Sequence, residues 1–349
     1  MLRPVDQVVA EGLRVGLEAT EISVFGSADP VRVTEIVENF CRVHLGDAPT
    51  GARFYASSVG CVIGLGLESG RDVVMKAYQP RWRPSFLEAV QLAQHFAGSS
   101  GLPCAQPVLA PAPVVEGGDT FAVIESWLAD PGMRAVATEA ALGVSAAGLA
   151  RQISSCRALE GSDELMNHPL RTSPDGLYAE PHSPHFDFER SSAGAEWIDD
   201  IARRAADIRD GHATRRVASH TDWSARNVRY DESRLLAVYD WDSVALVEET
   251  TAVGQAAVTW RVTAEPGGTE FPDADEVLRY IGAFEDAVGR RFSAGERRAA
   301  TAAAAYLLAY TSRCEHALEY AGIERSDPGA ASAARNRLAE AGDQLLAGW

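Results

Sequence analysis

Lysine is nearly absent from this sequence. Of its 32 basic residues 31 are arginine, and the one lysine, Lys76, lies in the β-rich run Arg71 to Tyr78. A composition that has replaced lysine everywhere else keeps a compact ammonium at this single place, which marks Lys76 as a candidate binding residue. Long apolar runs are missing too. No eighteen consecutive apolar residues occur, which excludes a membrane-spanning helix of the usual kind. The first residues, MLRPVDQVVAEG, lack the basic-then-apolar pattern of a secretory signal, so a soluble, cytoplasmic protein is expected. Cysteine is sparse: positions 41, 61, 104, 156 and 314 are odd in number, scattered and without metal-ligand spacing, which argues against a disulfide framework and a zinc cluster. Positive charge is in deficit. The net charge of −17 argues against a nucleic-acid partner, and its even spread along the chain speaks for solubility rather than for a local funnel for cations.

What the sequence does hold is concentrated between Val217 and Ser243, VASHTDWSARNVRYDESRLLAVYDWDS. Val228 to Tyr230 and Leu235 to Asp240 are β-rich runs separated by the turn-forming Asp231-Glu232-Ser233-Arg234, so a hairpin is expected. Its strands would start and end at one edge of a sheet. Asn227, just before the first strand, then lies beside Asp240 at the end of the second, and Asp222 sits on the loop leading in. An amide oxygen next to a carboxylate suits magnesium, a hard cation that takes oxygen ligands and leaves room for substrate phosphates. A second carboxylate five residues before the amide would align a hydroxyl for in-line attack.

The string His220-x-Asp222-x-x-x-x-Asn227, with Asp240-Trp241-Asp242 beginning thirteen positions later, resembles the catalytic loop and metal-binding strand of the aminoglycoside phosphotransferase and choline kinase group. These are small-molecule kinases related to the protein kinases. The resemblance covers residues 50–320, and its specific part is this stretch together with Lys76. It implies an α+β, two-lobed protein-kinase-like fold. A small β-rich nucleotide-binding lobe would occupy 1–128, with 1–50 as an extra helical segment, and a larger, mainly helical catalytic and substrate-binding lobe would occupy 129–349. ATP and Mg2+ are the implied cofactors, and a small molecule with a free hydroxyl is the implied partner. Asp222 would accept the hydroxyl proton or align the hydroxyl, while Asn227 and Asp240 would hold the metal. Lys76, held by Glu88, would position the phosphates. Within the catalytic loop His220 reads as a hydrogen-bonding residue rather than an acid or base, and Asp242 as a group that fixes the loop.

Two departures from the family pattern stand out. Thr221 occupies a position where many relatives have glycine and protein kinases have arginine. The acidic residue that follows Asp-Trp-Asp in a Gly-Asp-Pro-like string is missing from 247–257; Glu248 and Glu249 either substitute for it or are unrelated.

The rest of the chain reads as elements around this centre. Val33, Ile36, Val37, Phe40 and Val43 recur at helical spacing between Val31 and Leu45, after the start signal Asp29-Pro30. Three short strands follow, Arg53 to Ala56, Cys61 to Leu67 and Arg71 to Tyr78. The first turn, with the Ser57 and Ser58 hydroxyls, would cover the nucleotide phosphates, and Gly64 and Gly66 would let the second strand approach the nucleotide. A helix is expected from Phe86 to Ala97, with Glu88 in its first turn. Thr120 to Leu128 reads as a buried strand, after which Glu125 and Trp127 would offer backbone groups to adenine. Helices are expected at Met133 to Ala158, Ala195 to Asp210, Ala252 to Thr263, Asp275 to Val288, Ser293 to Tyr320 and Ala330 to Ala347. Between 163 and 194 lies a segment rich in proline, with His168, His182 and His185; its length suggests substrate contact or poor order.

Substrate identity stays open at this level. Glu285, Asp286, Glu315 and Glu319 would receive the amino groups of an aminoglycoside, Glu315 and Glu319 sharing one helix face through their i, i+4 spacing. Trp260, Tyr306, Tyr310 and Tyr320 would instead cage a choline-like ammonium. Homoserine and sugars are further acceptors. A catalytically silent nucleotide-binding pseudokinase is the alternative from another class.

Overall fold

The computed structural model describes the chain except for residues 14–17, 133–136, 171–175, 180, 182–184, 213, 264–269, 324–331 and 349. The helix starts expected at Met133 and Ala330, and Pro174, His182 and Pro184 of the proline-rich segment, therefore lie outside the described residues. Contacts divide the chain into two compact units, one of 1–98 with 104–129 and one of 99–103 with 130–349. The fold class is α+β, with an antiparallel sheet in the N-terminal part and helices dominating the C-terminal part.

The first unit begins with α1 (Val5–Gly12), α2 (Ala19–Phe25) and α3 (Pro30–Leu45). The ends of α3 follow from local chemistry: the Asp29 side chain accepts from the Arg32 N–H, Pro30 opens the helix, and Gly46 ends it at φ 64°. Next come β1 (Pro49–Ser57), β2 (Gly60–Leu67), β3 (Asp72–Tyr78), α4 (Pro84–Ser99), β4 (Pro107–Pro113) and β5 (Phe121–Ser126). The strands form one sheet in the order β1-β2-β3-β5-β4, each pair antiparallel. β4 was not foreseen. It carries Pro107, Pro111 and Pro113, and it is tolerated because it lies at the sheet edge, where one side needs no donors.

Alternation along the strands decides what each face does. Ile63, Leu65, Val73, Met75, Ala77, Ala122 and Ile124 form one core with Val9, Val33, Val37 and Phe40 of the preceding helices. Burying each large aliphatic or aromatic side chain there stabilises the unit by about 1.5–3 kcal/mol. Val74, Lys76, Val123 and Glu125 alternate onto the opposite face. The first helical segment thus covers one side of the sheet, and the lysine is turned to the other. Burial pushes the Cys41 and Cys61 thiols of this core up to about 12, which makes them inert packing groups.

The second unit contains α5 (Glu139–Ser155), α6 (Asp163–Met166), α7 (Glu196–Asp210), β6 (Arg216–His220), β7 (Val228–Tyr230), β8 (Leu235–Val238), β9 (Val244–Glu248), α8 (Glu249–Thr259), α9 (Ala274–Val288), α10 (Ala294–Tyr320) and α11 (Ala333–Ala347). α10 starts at a capping box in which Ser293 and Glu296 satisfy each other's backbone N–H groups. Its alanines 299, 300 and 302–305 are all buried, so neighbouring helices approach closely. The hairpin expected after Asn227 forms as β7 and β8. A second antiparallel pair, β6 with β9, was not anticipated. Both strands are short and buried along most of their length, and such runs lack the alternation that reveals a strand. Among the described residues no helix is long and apolar enough to cross a membrane.

Candidate active site

β6 ends at His220 and β9 begins at Val244, and the two are register partners. Everything between them is therefore a closed excursion whose ends are fastened. His220 is 1% exposed. Its N–H donates to Gln152 Oε1 at 3.1 Å, its Nε2 donates to the Tyr239 carbonyl at 2.8 Å, and its Nδ1 lies 3.0 Å from Ser243 Oγ. The carbonyl can only accept, so the proton sits on Nε2. Trp223 and Trp241 meet the imidazole edge-on, with centroids at 5.8 and 5.9 Å. The ring thus braces the two arms of the excursion against each other.

Thr221 has a use of its own. Its N–H and Oγ1 both donate to the Ser243 carbonyl, at 3.2 and 2.7 Å, a tie that glycine would make only through its backbone. The next residues form a tight loop: the Ser224 N–H donates to the Asp222 carbonyl, and the Asn227 and Val228 N–H groups donate to the Ser224 carbonyl. This curl brings Asn227 back onto Asp222. Asn227 Nδ2 donates to Asp222 Oδ2 at 2.8 Å and to the Asp222 carbonyl at 3.2 Å. The Asn227 main-chain carbonyl in turn accepts the Tyr239 N–H at 2.8 Å, which sets the Asn227 backbone next to the Tyr239-Asp240 step.

Asp240 is the only non-glycine residue with positive φ among those described, at φ 60° and ψ 50°. Aspartate tolerates this left-handed conformation better than most residues. It is held there by Ser243, whose Oγ donates to the Asp240 carbonyl at 2.9 Å, and by the short 3-10 turn Trp241–Ser243. The fully buried Trp241 ring anchors that turn through Nε1, which donates to the Val238 carbonyl at 3.2 Å. Asp242 is 6% exposed, and its carbonyl accepts from His168 Nε2 at 3.0 Å. Burial, and then the Asp130 carboxylate, push the Tyr239 phenol up to about 12, so it stays neutral beside Asp240 near neutral pH.

Three residues of this scaffold escaped the sequence reading, Ser145, Gln152 and Ser243, and His168, singled out there only within the proline-rich segment, serves the turn after Asp240. Gln152 is fully buried; besides accepting from His220 it donates to the Ala218 carbonyl at 3.3 Å. Trp223 Nε1 donates to Ser145 at 3.2 Å. The signal that would have found Ser145 and Gln152 is a polar residue on the buried face of α5, among Leu142, Ala146, Leu149 and Ile153. Gln152→Leu keeps the volume but strands two buried backbone groups. It should cost about 2–4 kcal/mol, read as a lowered urea midpoint with an unchanged slope.

The acidic groups proposed to support the loop are engaged elsewhere. Glu248 accepts from the Thr214 N–H and Oγ1 at 2.8 and 3.0 Å, and the buried Glu249 pairs with Arg215 at 2.8 Å and with Arg290. Loop support thus comes from Gln152, Ser243 and Ser145. The carboxylates suggested as amine receptors are also occupied. Glu315 is 2% exposed and accepts the Ala334 and Arg335 N–H groups at 3.0 and 2.9 Å, satisfying open donors at the start of α11. Glu319 pairs with Arg335 at 2.5 Å. Glu285 is shared by Arg291 and Arg297, and Asp286 pairs with Arg291 at 2.5 Å. The expected aromatic cage does not form as a unit: Trp260 is buried and stacks near Tyr230, whereas Tyr306 and Tyr310 pack around Tyr178, and Tyr320 is exposed.

In the first unit Lys76 is 5% exposed on β3, and its Nζ lies 3.8 Å from Glu125 Oε1 on β5. The partner expected from sequence, Glu88, is exposed on α4. The reason is helical phase: α4 buries Phe86, Leu87, Val90, Ala93, Gln94 and Ala97, and position 88 falls outside that stripe. The side chain of Glu125, a residue whose backbone groups the sequence assigns to adenine, is the ion-pair partner. Trp127 packs on Phe54 at 6.1 Å, lies under the Arg53 guanidinium at 5.2 Å, and gives its N–H to the Asp72 carbonyl at 3.3 Å. The space over Gly64 is filled by this pair: a Cβ there would lie 2.6 Å from Phe54 and 2.8 Å from Trp127. Small size at Gly64 accordingly serves ring packing. Ser57 closes β1 as the register partner of Cys61, and Ser58 is exposed at the turn.

A sequence profile of the phosphotransferase enzyme family matches residues 65–247. A search of curated proteins finds no match. Among solved structures, amicoumacin kinase hAmiN in complex with AMP-PNP, Ca2+ and Ami is similar with a TM-score of 0.60 at 10% identity, over 89% of this chain and 93% of that one. A putative aminoglycoside phosphotransferase from Ralstonia eutropha JMP134 gives 0.51 at 15% identity, over 90% and 97%. A choline/ethanolamine kinase family protein from Mesorhizobium loti gives 0.50 at 16% identity, over 85% and 88%. At these identities the likeness is one of fold.

Proposed function

The chain belongs to the phosphotransferase enzyme family and is a small-molecule kinase, and from that premise we propose that it moves the γ-phosphate of ATP, with magnesium, to a hydroxyl of an amino-bearing small molecule in the cytoplasm. The observation that carries this reading is the orientation of the Asn227 amide. A carboxylate only accepts, so the 2.8 Å contact with Asp222 turns Nδ2 toward it and leaves Oδ1 as one oxygen donor; the Asp240 carboxylate, one residue past the Tyr239 N–H that the Asn227 main-chain carbonyl accepts, is the second in this reading. Two oxygen donors fit magnesium, which keeps waters and takes further ligands from phosphates. Among the described residues no cluster of three or more His, Cys, Asp or Glu side chains offers an all-protein cage. When bound, the ion would neutralise charge on the β- and γ-phosphates.

The chain's own residues then divide the work. Asp222 accepts the proton of the acceptor hydroxyl or aligns that hydroxyl, and its tie to Asn227 holds the carboxylate in place. Lys76, oriented by Glu125, presents its ammonium to the phosphates. His220, Thr221 and Ser243 hold the loop so that Asp222, Asn227 and Asp240 need not be ordered on binding. Rate enhancement comes from placement and preorganised charge.

The acceptor class to test first is an amino-bearing antibiotic, as the name of the amicoumacin kinase suggests. ATP consumption with magnesium should be measured across amicoumacin, aminoglycosides, choline, ethanolamine, homoserine and amino sugars. Turnover confined to one class would identify the acceptor. Failure of the protein to bind magnesium ATP at all would overturn the reading.

A further inference from the structure

The turn between β1 and β2 is held by two side chains from other elements. Thr20 Oγ1, in the first turn of α2, donates to the Ser58 carbonyl at 2.9 Å. Gln79 Nε2, just past β3, donates to the Val59 carbonyl at 2.9 Å. Within the turn the Ser58 N–H donates to the Gly60 carbonyl at 3.0 Å. α2 is fastened to β1 as well: Tyr55 Oη donates to Glu21 Oε1 at 2.8 Å, and both residues are buried. The strand beyond the turn is packed just as tightly, since a Cβ at Gly60 would lie 2.6 Å from the Ala77 carbonyl oxygen.

These anchors have a directional consequence. In a trans peptide the carbonyl of one residue and the N–H of the next point opposite ways. Holding the Ser58 carbonyl on Thr20 turns the Val59 N–H away from α2, and holding the Val59 carbonyl on Gln79 fixes the peptide plane that follows. Two successive peptide planes are set by side chains before any ligand arrives. Turn amides of fixed direction, flanked by serine hydroxyls, suit a phosphate group.

We propose that Thr20 and Gln79 are positioning residues for the nucleotide, presetting the Ser58-Val59-Gly60 turn to receive the polyphosphate of ATP. The inference rests on the ATP-dependent reading above and adds a role for the N-terminal helical segment, which the family profile does not cover. Neither residue touches the reacting atoms. Their effect is to remove the ordering cost of the turn, and that cost falls on phosphate binding and not on adenosine binding.

Calorimetric titration of the full chain with magnesium ATP and, separately, with adenosine tests this. Thr20→Val removes the donor at nearly constant shape and should weaken ATP binding about five- to tenfold, the worth of one preorganising hydrogen bond. Adenosine affinity should stay within about twofold on the same reasoning. Thr20→Ser should restore ATP affinity, and Gln79→Met should act in the direction of Thr20→Val. Unchanged ATP affinity in both donor-deleted variants would overturn the proposal, and so would equal weakening of ATP and adenosine, which would assign the anchors to general stability. If the unaltered protein binds no ATP, the functional reading falls and takes this inference with it. If it binds ATP and the variants match it, the inference alone falls.

Discussion

Asp222→Asn is expected to lower kcat/KM for phosphoryl transfer by roughly a hundredfold to ten-thousandfold, the usual contribution of a positioned proton acceptor. The substitution is nearly isosteric. Its remaining oxygen can still accept from Asn227 Nδ2, which now lies 2.8 Å from the carboxylate, so the loop keeps its shape. Asp222 is exposed, and no buried charge is created or removed. The melting temperature and its rise on adding magnesium ATP should therefore match those of the parent, and only turnover should fall. Using kcat/KM keeps a slow product-release step from masking the loss. A loss below about tenfold would be too small for this role and would transfer it to another group.

Gly254→Ala should have the largest effect on stability of any single methyl addition, and two effects of opposite sign compete there. In a helix interior alanine is favoured over glycine by about 0.8–1 kcal/mol, which alone would predict a gain. Against it, a Cβ at Gly254 on α8 would lie 2.0 Å from the Ala300 carbonyl oxygen and 3.0 Å from the Ala303 Cβ on α10. Backbone cannot step aside as a flexible side chain can. The two helices must separate, which strips contacts from the alanine face that lets them meet. Such overpacking costs about 1–3 kcal/mol and more where backbone must shift, so packing wins and the net loss should reach about 2–3 kcal/mol. Gly282→Ala is the matched control. It sits in α9 with nothing within 4 Å of the added Cβ, so propensity acts unopposed and it should stabilise by about 0.5–1 kcal/mol. Chemical denaturation of both variants checks the pair; a stabilised Gly254→Ala would mean that α8 and α10 have more freedom than the packing allows.

Much of the fold was legible in the sequence because its signals are local. The stretch Pro30 to Gly46 carries its own start, stripe and stop. The hairpin after Asn227 could be read from its turn, and Asp231 bears this out by accepting the Ser233 and Arg234 N–H groups. β4 was hidden by its prolines, and β6 and β9 by their brevity and burial. Around the candidate site the same division holds. Asp222 and Asn227 are five residues apart on one tight loop, a separation that chain geometry alone can close. Gln152, by contrast, reaches His220 across 68 positions, and nothing near either residue in the chain announces the other.

By itself the sequence determined the identity and spacing of the groups proposed to carry chemistry: the lone lysine in a strand, the aspartate and asparagine of one loop, and the second aspartate after a hairpin. Residue type and short chain distance suffice for these, because backbone geometry limits what neighbours in sequence can do. Only the tertiary structure decided which partner each group takes. Lys76 meets Glu125 on an adjoining strand and not Glu88, because the phase of α4 is set by the apolar face it must bury. Glu315 caps α11 and does not face solvent, because the open amides at that helix start must be satisfied once they are buried. Glu248 and Glu249 turn to Thr214, Arg215 and Arg290, leaving the loop to Gln152 and Ser243. Partner choice depends on which surfaces exclude water when distant segments pack, and that is a property of the assembled chain.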